Sequence, residues 1–469
     1  MAAMLGEWPQ GRRPTAAALA AAVRRLVLAG RLPAGTRVPA ERELAGALGA
    51  SRTLVTAAFD RLRDEGLLVS RRGSGSWITL PGTASAGLEP LSPPMPGEMD
   101  LVRAATPAPL AVASAIDTAR LRLPELLGGT GYHLQGLTVL RERIAARFTA
   151  RGLPTTPDQI LVTSGAQHAF VLVLHLLAGP GDRVLVEHPT YPNALEAVRA
   201  HHAHPVPVAM ADEGWDLDAL EATLRQTAPR LAYLIPDFQN PTGLRLDAEG
   251  RERLAAALRR SRTPAVIDET LVELDLEGDP LDGPSPVAAF AEDLVITVGS
   301  ASKMFWGGLR VGWVRAPAEL VRRLLAVRPG VDLGTPSLEQ LVVAELLADP
   351  EADLQWQRER HREQRDVLVA ALREHCPQWR FRVPRGGLVL WCELDAPVST
   401  RLAVTAEGLG VRVAPGSRFG VHQGLEGYLR LPYVLPPEQL REAARRLGAA
   451  AALVGDSASD LAREPLQVT

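Results

Sequence analysis

The segment LVITVGSASKMFWGGLR, residues 294–310, decides how this chain is interpreted. Its first part, from Leu294 to Val298, is mostly apolar and β-branched, as in a buried strand, and it leads directly into Ser300, Ser302 and Lys303. Lys303 is the one lysine among 51 basic residues; all the others are arginine. Arginine can replace lysine in ion pairs, but it cannot lose its proton to act as an amine nucleophile. The segment predicts a strand followed by a lysine kept for amine chemistry, with chance survival of one lysine as the alternative.

Four more polar or aromatic groups follow predicted strands in the same way. They are residues 164–167 after strand 160–163, 189–191 after 184–186, 239–243 after 231–235, and Asp268 after 265–267. Short apolar runs alternate with helical patterns through this part of the chain, which predicts an α/β sheet. Ligands of such sheets bind at the carboxyl ends of the strands, so we expect all five groups to meet in one crevice.

The chemistry that these groups share suits an aldehyde cofactor with a pyridine ring and a phosphate, namely pyridoxal 5'-phosphate (PLP). Lys303 would form the Schiff base, and Asp268 would keep the ring nitrogen protonated. Tyr191 would stack on the ring, and Asn240 would hydrogen-bond its hydroxyl. The phosphate would be held by a helix start and by polar side chains: Gly165, Ala166, Gln167, Ser300, Ser302 and Arg310. Each group alone could also be an ordinary cap, turn or core residue, but their joint order favours the cofactor.

The N-terminal 80 residues form a second, basic unit. They carry 12 arginines against 6 acidic residues, although the whole chain has a formal net charge of −3. Apolar spacing predicts helices at 41–48 and 51–65, separated by a tight turn at Gly49, with Arg52, Thr53 and Thr56 near the exposed start of the second helix. A hairpin with strands at 67–69 and 76–79 follows. This is a winged helix-turn-helix pattern, and the Arg71-Arg72 tip of the wing would suit DNA phosphates.

Composition limits the remaining possibilities. Apolar residues make up 46% of the chain and charged residues 22%, as in folded proteins. The two cysteines have neither metal-ligand nor redox-pair spacing, and the apolar runs are far shorter than the roughly 18 residues of a membrane span. We therefore expect a cytoplasmic protein without a metal site or membrane segment. Residues 81–97 are rich in Pro, Gly, Ser and Ala and are predicted to be a linker, and the residues after Gly455 a frayed tail.

The basic unit carries a family resemblance. The run GRLPAGTRVPAERELAGALGASRTLVTAAFDRLRDEGLLVSRRGSGSWI, residues 30–78, resembles the winged helix of the GntR superfamily of transcriptional regulators. The resemblance implies that Arg42, Arg52 and Thr53 contact DNA and that Gly75 lies in the wing.

From about Asp100 to Gly448 the chain resembles fold type I PLP enzymes of the class I aminotransferase family. That fold has a large α/β/α domain and a small C-terminal α+β domain. The resemblance implies that Arg430 grips a substrate α-carboxylate and that Tyr132 reaches the phosphate of a partner subunit, hence a homodimer. One departure is visible: the family's Asp-x-x-Tyr stands here as Asp268-Glu269-Thr270-Leu271, and Leu271 cannot donate a hydrogen bond to the ring oxygen.

Together, a winged helix at 1–80, a linker at 81–100 and an aminotransferase-like domain at 101–455 resemble the MocR (GabR-like) regulators. The resemblance implies a domain-swapped homodimer that binds a double-stranded DNA operator and senses a small amine or amino acid through an external aldimine. Two alternatives remain: an active aminotransferase with a DNA-binding appendage, and a regulator that senses the cofactor vitamer itself. Leu271 predicts weak or partial transaminase activity.

Overall fold

The computed structural model describes residues 2–5, 15–28, 32, 36–65, 67–71, 75–78, 97–211, 213–421 and 424–463. Its N-terminal part consists of short helices and strands: α1 (Ala2–Leu5), α2 (Ala16–Leu28), β1 (Arg37–Val38), α3 (Glu41–Leu48), α4 (Arg52–Asp64), β2 (Leu68–Arg71) and β3 (Gly75–Ile78). The three strands form an antiparallel sheet in the order β1-β3-β2. Of the linker predicted at 81–100, residues 81–96 lie outside the described residues, and its last two, Met99 and Asp100, belong instead to β4 (Met99–Leu101), which pairs with a strand of the small domain.

Local chemistry explains the boundaries of α3 and α4. Gly49 ends α3 in the left-handed conformation, at φ 61°, which glycine adopts without a Cβ clash. Ser51 caps α4 by accepting a hydrogen bond from the Leu54 N–H at 3.2 Å. The hairpin differs from the prediction by one or two residues. The main-chain pairing runs from Leu68 to Arg71, beyond the last apolar residue, because it needs no apolar side chain.

The remaining strands and helices belong to the larger part of the chain. The strands are β4 (Met99–Leu101), β5 (Ile160–Thr163), β6 (Arg183–His188), β7 (His204–Ala211), β8 (Gly214–Trp215), β9 (Leu231–Leu234), β10 (Ala265–Asp268), β11 (Val295–Ser300), β12 (Gly312–Arg315), β13 (Arg380–Phe381), β14 (Val389–Glu393), β15 (Val411–Pro415) and β16 (Tyr428–Pro432). The helices are α5 (Leu110–Arg122), α6 (Thr138–Ala150), α7 (Ala166–Leu177), α8 (Pro192–Ala200), α9 (Leu217–Thr227), α10 (Ala248–Ser261), α11 (Ala301–Met304), α12 (Ala318–Val327), α13 (Ser337–Leu346), α14 (Glu351–His375), α15 (Ser399–Gly408) and α16 (Pro437–Arg463).

An eight-stranded sheet forms the centre of the large domain, in the order β5-β12-β11-β10-β9-β6-β7-β8. Strand β12 is antiparallel to both neighbours and β8 to β7, and the other adjacent pairs are parallel. Both faces of the central strands are buried: Ala265 and Ile267 of β10 pack in one apolar cluster and Val266 in another. A strand covered on both faces has a continuous apolar run, which is what the sequence contains.

A five-stranded sheet, in the order β13-β14-β16-β15-β4, forms the small domain and packs against α14, α15 and α16. Its edge strand β4 pairs in parallel with β15, with Met99 opposite Val411 and Leu101 opposite Val413. The predicted tail after Gly455 is wrong over its first part, because α16 continues to Arg463. Residues 456–463 contain neither glycine nor proline, so nothing stops the helix there.

Cys376 and Cys392 are both free and buried. Within the ranges that the structure describes, no group of three or more His, Cys, Asp or Glu side chains is placed to hold a metal ion. No helix in those ranges combines the length and the apolar content that a bilayer crossing needs.

Candidate functional site

The five groups singled out in the sequence follow strands that run in the same direction. Strands β5, β6, β9, β10 and β11 are parallel to one another, so their carboxyl ends lie along one edge of the sheet. Residues 164–167 open α7 after β5, Tyr191 precedes α8 after β6, and Asn240 follows β9. Asp268 ends β10, and Lys303 lies in α11 directly after β11. Contacts between these groups make the edge the candidate cofactor site.

Lys303 is held at this edge by backbone and by burial. Its Nζ donates a hydrogen bond to the carbonyl oxygen of Ala104, in the segment that follows β4. Burial, reinforced by the positive charges of Arg430 and Arg310, lowers the pKa of Lys303 to about 8, although Asp268 acts in the opposite direction. A lysine with this pKa exists partly as the neutral amine near neutrality, which is the nucleophilic form.

Asp268 is buried and doubly hydrogen-bonded. Its Oδ1 accepts from the Thr270 N–H at 2.9 Å, and its Oδ2 accepts from the Tyr233 hydroxyl at 2.6 Å. The sequence did not single out Tyr233, because it lies within the apolar run of β9. Both hydrogen bonds orient the carboxylate, the group expected to pair with a protonated pyridine nitrogen.

The groups expected to hold a phosphate lie close together. Gly165 has φ +96°, and a Cβ there would stand 2.7 Å from Nη2 of Arg310. The same Nη2 donates to the carbonyl oxygen of Ser164 at 2.8 Å, and the hydroxyls of Ser300 and Ser302 are 3.0 Å apart. Gln167, in the first turn of α7, uses its side-chain amide to donate to the Asn193 carbonyl.

The start of α7 is also free of side-chain bulk. A Cβ on Gly312 would stand 2.5 Å from the carbonyl carbon of Gly165, so only glycine fits this approach of β12. The result is a cradle without a Cβ, next to a helix N-terminus, two hydroxyls and a guanidinium. This set fits the phosphate of PLP.

Tyr191 and Asn240 flank the same edge. Tyr191 precedes Pro192 at the start of α8, and its hydroxyl accepts from the Asn193 amide at 2.8 Å. Burial and the nearby Asp268 carboxylate raise the pKa of Tyr191, so it stays a neutral phenol. Asn240 turns its Oδ1 toward Arg430, accepting from Nη1 at 3.3 Å. Asn240, one of the predicted cofactor-binding residues, therefore contacts Arg430, the residue predicted to bind a substrate carboxylate.

Arg430, in β16, is a buried cation without an acidic partner. It is 6% exposed, its Nη2 donates to the carbonyl oxygen of Val102, and its Nε has no hydrogen-bond partner. Among the described residues, no ion pair joins Arg430 to a carboxylate, and Asp100, the acidic residue whose charge acts on it, is paired with Arg103. Burial, and then the charge of Arg418, lower the pKa of Arg430 to about 10.

Tyr132 and Leu271 are the residues on which the expectations of a partner contact and of slow turnover depend. Tyr132 is 66% exposed, and no hydrogen bond among the described residues joins it to the groups at the sheet edge. Leu271 packs into a small apolar cluster with Phe238, Leu388 and Val434. The neighbouring Thr270 hydroxyl is buried and has no hydrogen-bond partner among the described residues. The apolar side chain of Leu271 therefore supplies no hydroxyl in place of the family's tyrosine.

In the winged unit, Arg42, Arg52 and Thr53 are exposed at the starts of α3 and α4. Thr56 is not free, because its hydroxyl donates to Glu41 at 2.7 Å and so joins the two helices. Gly75 has φ +113°, and a Cβ there would stand 3.1 Å from Nε of Arg37.

Arg37, exposed on β1 beside Gly75, lies before the helix-turn-helix pattern and is not among the predicted DNA contacts. The Arg71 main chain belongs to β2, but its side chain and the whole of Arg72 lie outside the described residues.

Comparison with known proteins supports the same division. Residues 127–447 match the aminotransferase class I and II family, and residues 15–78 match the gntR family of bacterial regulatory proteins. The chain is similar to the probable rhizopine catabolism regulatory protein MocR of Rhizobium meliloti, at 28% identity over 90% of this chain and 91% of that protein. The chain belongs to the MocR (GabR-like) subfamily. A GntR-type DNA-binding domain and an aminotransferase domain are thus joined in one regulator.

The aminotransferase part of this MocR-type chain also has close enzyme relatives. It is 36% identical to the 2-aminoadipate transaminase of Thermus thermophilus, over 65% of this chain and 78% of that protein. The crystal structure of the α-aminoadipate aminotransferase LysN of Thermus thermophilus, in complex with N-(5'-phosphopyridoxyl)-L-leucine, superposes with a TM-score of 0.70 at 32% identity. The superposition covers 77% of this chain and 93% of the LysN chain. The predicted fold type I is confirmed, and PLP is the cofactor of this family.

Proposed function

We propose that this chain is a PLP-dependent transcription regulator that responds to a small molecule bearing both a primary amine and a carboxylate. Residues 1–80 would bind the operator and residues 101–455 would hold cofactor and effector, joined by the linker predicted at 81–100, whose last two residues lie in β4. A location in the cytoplasm follows from the DNA partner.

The buried guanidinium of Arg430 is the observation that carries this proposal. An unpaired charge is costly to bury, and a carboxylate bound in a bidentate manner would offset that cost. Arg430 and Lys303 donate to the carbonyls of Val102 and Ala104, which are two residues apart. One small ligand could therefore present a carboxylate to Arg430 and an amine near Lys303.

Each side chain would have a distinct task. When bound, PLP supplies an aldehyde that an amine can capture and a ring that withdraws electrons. Lys303 would give up or take up a proton at Nζ, helped by a pKa of about 8. Asn240 would orient Arg430, and Arg310 would hold the phosphate beside Gly165.

Replacement of Arg430 by lysine tests the carboxylate grip. Arg430→Lys keeps the charge but loses the planar fork, so we expect normal cofactor absorbance with a response shifted to at least about tenfold higher amino-acid concentration. Arg441→Lys, which alters an exposed ion pair with Glu438, is the matched control. The full chain should be titrated with each common amino acid while visible absorbance and binding to a selected DNA duplex are followed. An unchanged response in Arg430→Lys would contradict the proposal.

The second candidate is an active aminotransferase with a DNA-binding appendage. Its support is the combination of Lys303, Asp268 and Arg430 with a relative named as a transaminase. Leu271 favours the regulator, because the donor to the ring oxygen is missing and turnover should be slow. Sustained transamination with a keto acid, faster than about 1 per second, would identify an enzyme. A DNA response to PLP without any amine would instead identify a sensor of the vitamer.

The DNA contacts are proposed to lie in the first turns of α3 and α4 and in the wing. Arg52→Ala should relax base preference, since Arg52 is exposed at the start of the recognition helix. Arg71→Ala and Arg72→Ala should weaken binding to all duplexes alike and reduce its salt dependence, as expected of phosphate contacts. Binding that survives deletion of residues 1–80 would contradict this assignment.

We also propose that the chain forms a homodimer and that this dimer is domain-swapped. Large apolar side chains are exposed on α5 and in the segment that follows it: Leu110, Leu121, Leu127 and Tyr132. Exposed apolar patches are typical of protein interfaces. Sedimentation of the purified chain should give twice the monomer mass.

A further inference from the structure

The hydroxyl of Tyr233 meets the carboxylate on which the cofactor ring depends. Tyr233 lies in β9, next to β10, with its Cα opposite that of Val266. Its side chain is 2% exposed, and its hydroxyl donates to Oδ2 of Asp268 at 2.6 Å. The other oxygen of Asp268 is turned to the Thr270 N–H. The two oxygens of the Asp268 carboxylate are therefore held by two different donors, one in β9 and one shortly after β10.

Packing alone does not explain a tyrosine at this position. The Tyr233 ring contacts Phe170, with centroids 4.6 Å apart, within an apolar cluster where phenylalanine would fill the same space. A hydroxyl buried in such surroundings costs free energy unless it is hydrogen-bonded. Burial and the Asp268 carboxylate raise the pKa of Tyr233 well above its ordinary value, so the phenol remains a donor.

Another buried carboxylate near Tyr233 already has its own hydrogen-bond donors. Glu187, at the end of β6, accepts from the Trp215 indole at 2.7 Å, from the Ile235 N–H at 3.0 Å and from the Gln239 amide at 3.0 Å. Burial raises the pKa of Glu187 to about 7. Tyr233 is thus committed to Asp268 rather than shared between two acids.

We propose that Tyr233 is a positioning residue for the cofactor ring. Its hydroxyl fixes the plane of the Asp268 carboxylate, so that the ring nitrogen would meet an oriented acceptor although the tyrosine of Asp-x-x-Tyr is replaced by Leu271. The inference depends on the cofactor site and not on the proposed effector response, so either can fail without the other.

The test compares Tyr233→Phe with a matched control in the full-length chain. Tyr433→Phe removes another buried hydroxyl, one that donates to the Gly386 carbonyl at 3.1 Å in the small domain. Each cofactor-free protein is titrated with PLP and with its 1-deaza analogue, in which carbon replaces the ring nitrogen. We expect Tyr233→Phe to raise the Kd for PLP roughly tenfold, the size expected of one hydrogen bond to a charged group, and to weaken the visible circular dichroism band.

The analogue separates positioning from packing. Because it has no ring nitrogen to meet Asp268, its Kd should be nearly the same for the native chain and for Tyr233→Phe. Tyr433→Phe should match the native chain with both ligands. The proposal would be overturned by equal losses for PLP and the analogue, or by an unchanged Kd and spectrum in Tyr233→Phe. A Tyr233→Phe chain that fails to fold, or unfolds well before Tyr433→Phe, would also overturn it, because the hydroxyl would then be structural.

Discussion

The amine of Lys303 must lose a proton before it can attack an aldehyde, and its surroundings set the pH at which this happens. Its pKa of about 8 results from burial and from the charges of Arg430 and Arg310. The rate of PLP capture by cofactor-free protein should therefore rise with pH, pass its midpoint near pH 8 and level off above. Stopped-flow absorbance between pH 7 and 10 measures this profile. A rate still rising at pH 10 would indicate an ordinary lysine, with a pKa of about 10.4.

Single residues also show what the sequence could predict. Lys303 and Asp268 were identified because each directly follows an apolar strand, where side chains leave the core and meet a ligand. Tyr233 could not be identified in this way, because it belongs to the apolar run itself and its hydroxyl partner comes from the neighbouring strand. Helical spacing placed Thr56 near the exposed start of α4, but it could not show that the Thr56 hydroxyl donates to Glu41 of α3.

Between elements, a buried ion pair holds α6 against the end of β10. Arg151, directly after α6, donates to Glu269 at 2.6 Å, and both side chains are nearly inaccessible. Each has an atom without a hydrogen-bond partner, and the pair lines a cavity of about 20 Å³, room for roughly one water molecule. Glu269 follows Asp268 in the chain, so this pair also supports the backbone of the cofactor site. Loss of the ion pair between Arg151 and Glu269 should mainly lower the free energy of unfolding.

Arg151→Met should lower the free energy of unfolding by about 3–5 kcal/mol, because it leaves a buried carboxyl without its partner. Arg322→Gln, which breaks a fully exposed pair with Glu319, should change it far less. The double variant with Arg151→Met and Glu269→Met should recover most of the loss, since no charge is left to bury. Urea unfolding measures all three. A loss in Arg151→Met no larger than in Arg322→Gln would contradict the buried-pair argument.

At the scale of the whole molecule, subunit mixing tests whether Tyr132 completes a neighbouring site. In a mixed dimer of Lys303→Ala and Tyr132→Phe subunits, one site would combine both changes and the other would combine two native residues. We expect one tight PLP site per mixed dimer, although neither parent has one. Differently tagged subunits and cofactor stoichiometry provide the measurement. If Tyr132 instead serves its own subunit, no tight site will form.

The short strand β4 has a consequence for the whole molecule. Its first two residues, Met99 and Asp100, were predicted to end the linker, and the carbonyls of Val102 and Ala104, just after it, accept hydrogen bonds from Arg430 and Lys303. A ligand carboxylate that binds Arg430 has to compete with the Val102 carbonyl for the same hydrogen-bond donor. Ligand binding therefore affects the segment directly after β4, next to the predicted linker. Thermodynamic reciprocity then applies: whatever factor the ligand imposes on operator affinity, the operator imposes on ligand affinity. The protein on its operator should therefore have a different threshold for amino acids from the protein free in solution.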